Sequence, residues 1–315
     1  MKRIIFILLM ILVMDTAIFA QGKNYIKYET EHPSICVEIN NKKLNFLVDT
    51  GAPKSLLFKK SFTILELEKE EWFQEFKNSV PNVDEIKKAL EVYSAELKTL
   101  GVENVEQEKI KPQKGFEVTC PNTKIASKLI NLKLRYEERF DKVSKYIDYD
   151  GIIGMDVLYN FENLIIDYKN KKIYFDSKLK IKKDLTNLYS VSEKNKNLKI
   201  RGEQFYIKTK VNSQDMDATL DTGNLTGAIV IPEPILQLDK EKPVNTNNIT
   251  FCFCVDLEIG SRKFEKVKAT FSNNPEIKTI YKINKLGVSE ANIGHDFFKD
   301  KIIQFDFKNR TFGIK

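Results

Sequence analysis

The chain has 315 residues, with 51 Lys and Arg against 44 Asp and Glu, a formal net charge of +7 at neutral pH. That mild excess is spread along the chain, and no basic block is interleaved with aromatics, which argues against nucleic acid as a partner. Apolar residues make up 42% of the chain, with only 13 Gly and 9 Pro, a composition that excludes a disordered or low-complexity protein.

In chain order, the first element is a targeting segment. Lys2 and Arg3 precede an apolar run from Ile4 to Met14, and Thr16-Ala17-Ile18-Phe19-Ala20 offers a small-residue cleavage site before Gln21. Residues 1–20 therefore read as a secretory signal peptide, with an uncleaved anchor as the alternative. No later stretch reaches the roughly 20 apolar residues that a membrane helix needs. No Cys follows the apolar run, so a lipid anchor is not indicated. The abundance of Lys, Asn and Ile fits an AT-rich bacterial genome, and the expected location is the periplasm or the exterior.

The next elements form one copy of a repeat. A strand, the polar turn Asn40-Asn41 and a second strand, Leu44-Asn45-Phe46-Leu47-Val48, lead into Asp49-Thr50-Gly51, followed by Ala52. Residues 63–79 and 83–100 read as two helices inserted in this copy. In the second, Ile86, Ala89, Leu90, Tyr93, Leu97 and Leu100 follow helical spacing, with Pro81 and Asn82 before it and Gly101 after it. This stripe packs on the rest of the unit, or serves as a lid or a partner-binding surface. Gly151-Ile152-Ile153-Gly154-Met155-Asp156-Val157-Leu158 then precedes a strand ending at Asp167, a turn with Asn170, and a strand at Ile173-Tyr174-Phe175.

A Lys-, Ser- and Asn-rich connection over 176–199 separates this copy from another. Residues 37–51 align without a gap on 209–223, so that Asp221-Thr222-Gly223 repeats the first triplet at an offset of 172. Asn224 follows it where Ala52 stands in the first copy. Downstream, Ala291-Asn292-Ile293-Gly294-His295-Asp296-Phe297-Phe298 matches 151–158, and a strand ending at Asp306, a Lys-Asn turn and a last strand at Phe312 follow. Four elements in one order, twice, describe a tandem duplication. The predicted units are 21–185, carrying the helical insertion, and 186–315.

The remaining reactive residues give weaker signals. Four Cys in an exported chain permit disulfides. Cys252 and Cys254 share one face of a strand, which disfavours a bond between them, whereas Cys36 and Cys120 pair if the fold brings them close. His32 and His295 are the only histidines and neither lies in a ligand cluster, so no metal and no Ser-His or Cys-His nucleophile is expected. Asp156 and Asp296 read as local helix-capping or hydrogen-bonding residues rather than catalytic ones. Asp167 and Asp306 read as turn residues, and Trp72 as a packing anchor. The hairpin over 257–264 carries a good turn signal.

The paired Asp-Thr-Gly elements, each with a downstream apolar-Gly element, resemble the pepsin and retropepsin superfamily of aspartic peptidases. That resemblance implies a mainly β fold of two pseudo-symmetric, retropepsin-like barrel lobes in one chain. It implies catalytic carboxylates at Asp49 and Asp221, supported by Thr50, Gly51 and Ala52 on one loop and Thr222, Gly223 and Asn224 on the other. Ile153, Gly154, Ile293 and Gly294 would pack beneath the loops. The two glycines would admit a close backbone approach with unusual dihedrals. Two carboxylates about 3 Å apart share one proton, so no metal or cofactor is required. A monomer would suffice, acting on a peptide or protein substrate. Asn224 and Asn292 depart from the small and apolar residues usual at their positions, and so raise the alternative of an inactive fold that binds peptides or a partner protein.

Overall fold

The computed structural model describes residues 25–65, 74–75, 115–137, 148–181, 185–190, 204–224, 228–231, 250–272 and 291–315. The expected leader over 1–20 lies outside them. The first half gives β1 (Ile26–Lys27), β2 (Ser34–Ile39), β3 (Lys42–Val48), β4 (Leu56–Leu57), α1 (Lys60–Leu65), β5 (Gln74–Glu75), β6 (Gly115–Ile125), β7 (Lys128–Glu137), β8 (Gly151–Ile153), α2 (Met155–Leu158), β9 (Asn163–Asp167) and β10 (Lys172–Phe175). The second gives β11 (Leu185–Asn187), β12 (Tyr189–Ser190), β13 (Phe205–Val211), β14 (Gln214–Asp221), β15 (Ile229–Val230), β16 (Thr250–Ile259), β17 (Arg262–Ser272), β18 (Ala291–Gly294), α3 (His295–Phe298), β19 (Ile302–Asp306) and β20 (Thr311–Ile314). The protein is mainly β.

Local chemistry explains the pairing. In β2, Val37 and Ile39 are buried while Cys36 and Glu38 are exposed, the alternation of a strand with one face on the core. Asn40 and Asn41 turn the chain at φ of 50° and 60°, and Asn212 and Ser213 do so at 48° and 65°. Two consecutive left-handed residues make the tight hairpin turn whose twist matches its strands, and Asn tolerates that conformation well.

Among the described residues two seven-stranded sheets result, in the orders β2-β3-β8-β4-β7-β6-β5 and β12-β13-β14-β18-β15-β17-β16. Six consecutive strands in each correspond by chain position. Their senses agree too: β3–β8 and β14–β18 are parallel, as are β4–β7 and β15–β17. A third sheet, β1-β10-β9-β19-β20-β11, draws strands from both halves. Its centre is the antiparallel pair β9–β19, with Ile166 opposite Ile303 and Leu164 opposite Phe305, all buried. One apolar cluster runs from Leu44, Phe46 and Ile153 through to Leu220, Ile293 and Phe312. The two halves therefore share a core.

The turns after β9 and β19 are built alike. Asp167 accepts the Asn170 backbone and side-chain N–H groups at 3.0 and 2.8 Å, and Asp306 accepts those of Asn309 at 2.9 and 2.8 Å. The 257–264 hairpin docks on the C-terminal edge. Gly260 sits against the Leu185 carbonyl, and Arg262 donates to the Ile314 carbonyl at 3.3 Å.

Several expectations need correction. The predicted helix over 63–79 is not continuous: α1 spans Lys60–Leu65, and Gln74–Glu75 forms a strand along the edge of β6. A sheet edge offers unpaired N–H and C=O groups, and pairing with it wins over local helical spacing. The predicted helix over 83–100 and Trp72 lie outside the described residues. Of the two roles open to Asp156 and Asp296, capping is excluded, because Gly154 and Gly294 occupy the cap positions with no side-chain cap bond, and Asp156 takes the hydrogen-bonding role toward Ser55. Cys36, exposed on β2, and Cys120, buried on β6, are both free thiols. Among the described residues no helix is long and apolar enough to cross a membrane.

Candidate active site

β3 and β14 each run parallel to the strand carrying the downstream glycine. Val48 lies opposite Ile153, and Asp221 opposite Gly294. These pairings fix where each strand ends and where its Asp loop begins. Ile153 and Ile293 are fully buried beneath the loops. A Cβ on Gly154 would lie 2.7 Å from the carbonyl oxygens of Ala52 and Lys54, so only glycine lets the first loop settle there.

The loops meet through their threonines. The Thr50 hydroxyl donates to the Leu220 carbonyl at 2.7 Å, and the Thr222 hydroxyl donates to the Val48 carbonyl at 2.7 Å. Each hydroxyl also accepts the other residue's backbone N–H, at 3.1 and 3.2 Å. Both side chains are buried, at 2% and 0% exposure, so every one of these bonds satisfies a group that water cannot reach. Gln204, a residue without a sequence signal, donates from its side chain to the Gly51 carbonyl and ties the second half to the first loop.

This grip brings Asp49 and Asp221 together at the centre. Each glycine lies against the opposite carboxylate: a Cβ on Gly51 would fall 2.2 Å from Asp221 Cγ, and one on Gly223 would fall 2.2 Å from Asp49 Cγ. Neither glycine has a positive φ, contrary to the unusual dihedrals expected, so close approach alone demands glycine there. Asp49 Oδ1 accepts the N–H groups of Gly51 and Ala52 at 2.8 and 3.0 Å, and Asp221 Oδ1 accepts that of Gly223 at 3.1 Å.

The two carboxylates differ. Asn292 Nδ2 donates to Asp221 Oδ2 at 2.8 Å, and Asn292 Oδ1 in turn accepts Asn224 Nδ2 at 2.7 Å. The first half has Ile152 and Ala52 at the matching positions, and neither side chain can donate. The two departures from the repeat thus form one relay ending on Asp221. Sequence reasoning flagged both asparagines but not their bond. Its signal was their joint occurrence in one half.

Electrostatics follow. Burial raises Asp49 well above the ordinary carboxylate range, and the negative charge of Asp221 raises it further. Burial also raises Asp221, but the Asn292 amide and the hydrogen bond with Asp49 pull it back. The pair therefore shares one proton, and the Asn292 donor biases the negative charge toward Asp221. A folded-state pKa above the unfolded value means that stability present at acid pH is lost as pH rises through the folded pKa. Asp49→Asn keeps the acceptor for the loop amides and removes that titration. It is expected to be more stable than wild type at pH 8 by more than about 1 kcal/mol, with a smaller gap at pH 5. Urea melts at the two values check this.

Around the loops, Asp156 Oδ1 accepts the Ser55 backbone N–H and hydroxyl at 2.9 and 2.7 Å, while Ser55 Oγ accepts the Gly154 N–H at 3.0 Å. Asp156 thereby braces the first loop from outside. Asp296 instead sits at the surface, 3.5 Å from Lys299. His295, beyond Gly294, is fully buried beside His32 and Glu31, a grouping that no spacing along the chain reveals.

No family model matches the chain. No curated protein matches it either. Among solved structures, the chain is similar to a retropepsin-like aspartic protease from Rickettsia conorii, at 18% identity and a TM-score of 0.30, over 48% of this chain and 87% of that one. At that score the likeness is a distant resemblance of fold, and carries no weight for the chemistry.

Proposed function

We propose that the protein is an exported aspartic endopeptidase, composed of two lobes over 21–185 and 186–315 that arose by tandem duplication, and active as a monomer. The observation that carries this reading is the facing pair Asp49 and Asp221, held by reciprocal threonine bonds. A water between the carboxylates attacks the scissile carbonyl carbon and gives its proton to Asp221. Asp49 gives its proton to the carbonyl oxygen, and a tetrahedral diol forms. Collapse breaks the C–N bond: Asp221 returns its proton to the leaving nitrogen, and one diol hydroxyl reprotonates Asp49. The residues supply acid, base and orientation, and the cycle regenerates the shared proton.

The Asn224–Asn292 relay sets which carboxylate is the base. It gives Asp221 a side-chain amide donor through Asn292, at one of the two positions that depart from the resemblance, which favours turnover over the inactive peptide-binding reading. Activity requires one proton on the pair. It falls at low pH as Asp221 protonates, and at high pH as Asp49 loses its proton. Asn292→Ile, which introduces the residue of the matching position 152, removes the donor that lowers Asp221. Its acid limb is expected to move to higher pH while the wild type keeps a bell-shaped kcat/KM profile. An unshifted acid limb in the variant would remove Asn292 from this role.

A further inference from the structure

We propose that Glu31, His32 and His295 form a binding site for a divalent transition-metal ion of borderline softness, with Zn2+ as its probe, joining the segment before β2 to α3. One ligand atom from each residue lies within 4.8 Å of the others. The two imidazole rings stand 4.2 Å apart between centroids. Nitrogen and carboxylate donors in this set suit zinc and its neighbours rather than calcium or magnesium, which take oxygen ligands.

The independent observation is His295 itself. It is 1% exposed, and neither ring nitrogen has a hydrogen-bond partner. A buried polar group without a partner destabilises the fold, and a neutral imidazole has two such groups. The matching position in the first half holds Met155, which packs there at no such cost. A histidine kept in that place, aimed at a second histidine, is explained by a ligand that the methionine would not bind.

The geometry offers a route in and a way to close. Glu31 is exposed, His32 half-buried and His295 fully buried, so the donors line a path from the surface inward. Zinc at about 2.0–2.1 Å from each donor holds its ligands about 3.4 Å apart, and the exposed Glu31 side chain is free to make that contraction. Glu31 now pairs with Lys299 at 3.3 Å, but Asp296 lies 3.5 Å from the same ammonium and keeps it neutralised once Glu31 turns. The Tyr149 hydroxyl, 3.4 Å from His32 Nδ1, orients that ring. Three protein ligands leave a fourth position for water. The His295 backbone N–H donates to the Asn224 carbonyl at 3.3 Å, so an ion here would brace the second Asp loop from behind.

The test is a Zn2+ titration of the full chain at pH 7.5 against a chromophoric chelator, with thermal melts alongside. His295→Met restores the residue of the matching core position, and His32→Gln lies nearer the surface, so both are expected to fold. Wild type is expected to take up one Zn2+ per chain and melt at a higher temperature with it. Each variant weakens binding at least tenfold and loses the thermal shift. Asp49→Asn binds as wild type does, which separates this site from the paired carboxylates. No saturable binding by wild type, or binding that survives both histidine changes, or binding that is lost in Asp49→Asn, would overturn the proposal.

Discussion

Asp49→Asn and Asp221→Asn are each expected to lower peptide cleavage by about 10³-fold or more, with most of the loss in kcat. The reasons differ. Asn at 221 cannot take a proton from water, so the base is gone. Asn at 49 has no acidic proton for the carbonyl oxygen, and its amide donates weakly to a developing oxyanion. Both variants keep an oxygen for the loop amides that bind Asp49 Oδ1 and Asp221 Oδ1, so the fold survives. Far-UV circular dichroism and kinetics on one peptide check both halves of the statement. Retention of a tenth of the wild-type rate in either variant would mean that the pair does not share the chemistry.

Thr222→Val is expected to cost about 3–5 kcal/mol, and Thr50→Val a similar amount. Valine matches the volume of threonine, so the loss isolates the hydroxyl. Removing Thr222 Oγ1 leaves the Val48 carbonyl and the Thr50 N–H without partners in a site closed to water. Each orphan costs about 1–3 kcal/mol. Against a total stability of about 5–15 kcal/mol, that is a large fraction, and it falls at the point where the two halves join. Thr222→Ser, which keeps the hydroxyl, is expected to lose less than about 1.5 kcal/mol. Equal losses for Val and Ser in urea melts would assign the effect to packing rather than to the reciprocal bonds.

The hairpin turns and the repeated triplets were legible in the sequence because each was marked by a local rule. Asn40-Asn41 and Asn212-Ser213 are residues that accept a left-handed turn. The offset of 172 between the triplets is the same offset that separates Thr50 from its bonded partner Thr222. Turn chemistry at Asp167 and Asp306 was legible for the same reason. The Asn292 bond to Asp221 was not, because it spans 71 positions and depends on the parallel pairing of β14 with β18. The His32–His295 pair was hidden further: one residue precedes β2 and the other opens α3 near the far end of the chain. Strand β5 was misread because helical spacing in 63–79 carries no trace of the β6 edge beside it. Local rules reach a few residues, and each of these features depends on partners brought together by the sheets.

The measurement that bears most directly on the account is digestion of an unbiased peptide mixture by the wild-type chain across pH 3 to 8, with products identified by mass. The paired carboxylates predict internal cleavages, with a rate that rises and falls with pH and with no products from Asp221→Asn. A folded wild-type protein that gives no product at any pH would contradict the peptidase reading and leave the facing carboxylates a binding or structural pair.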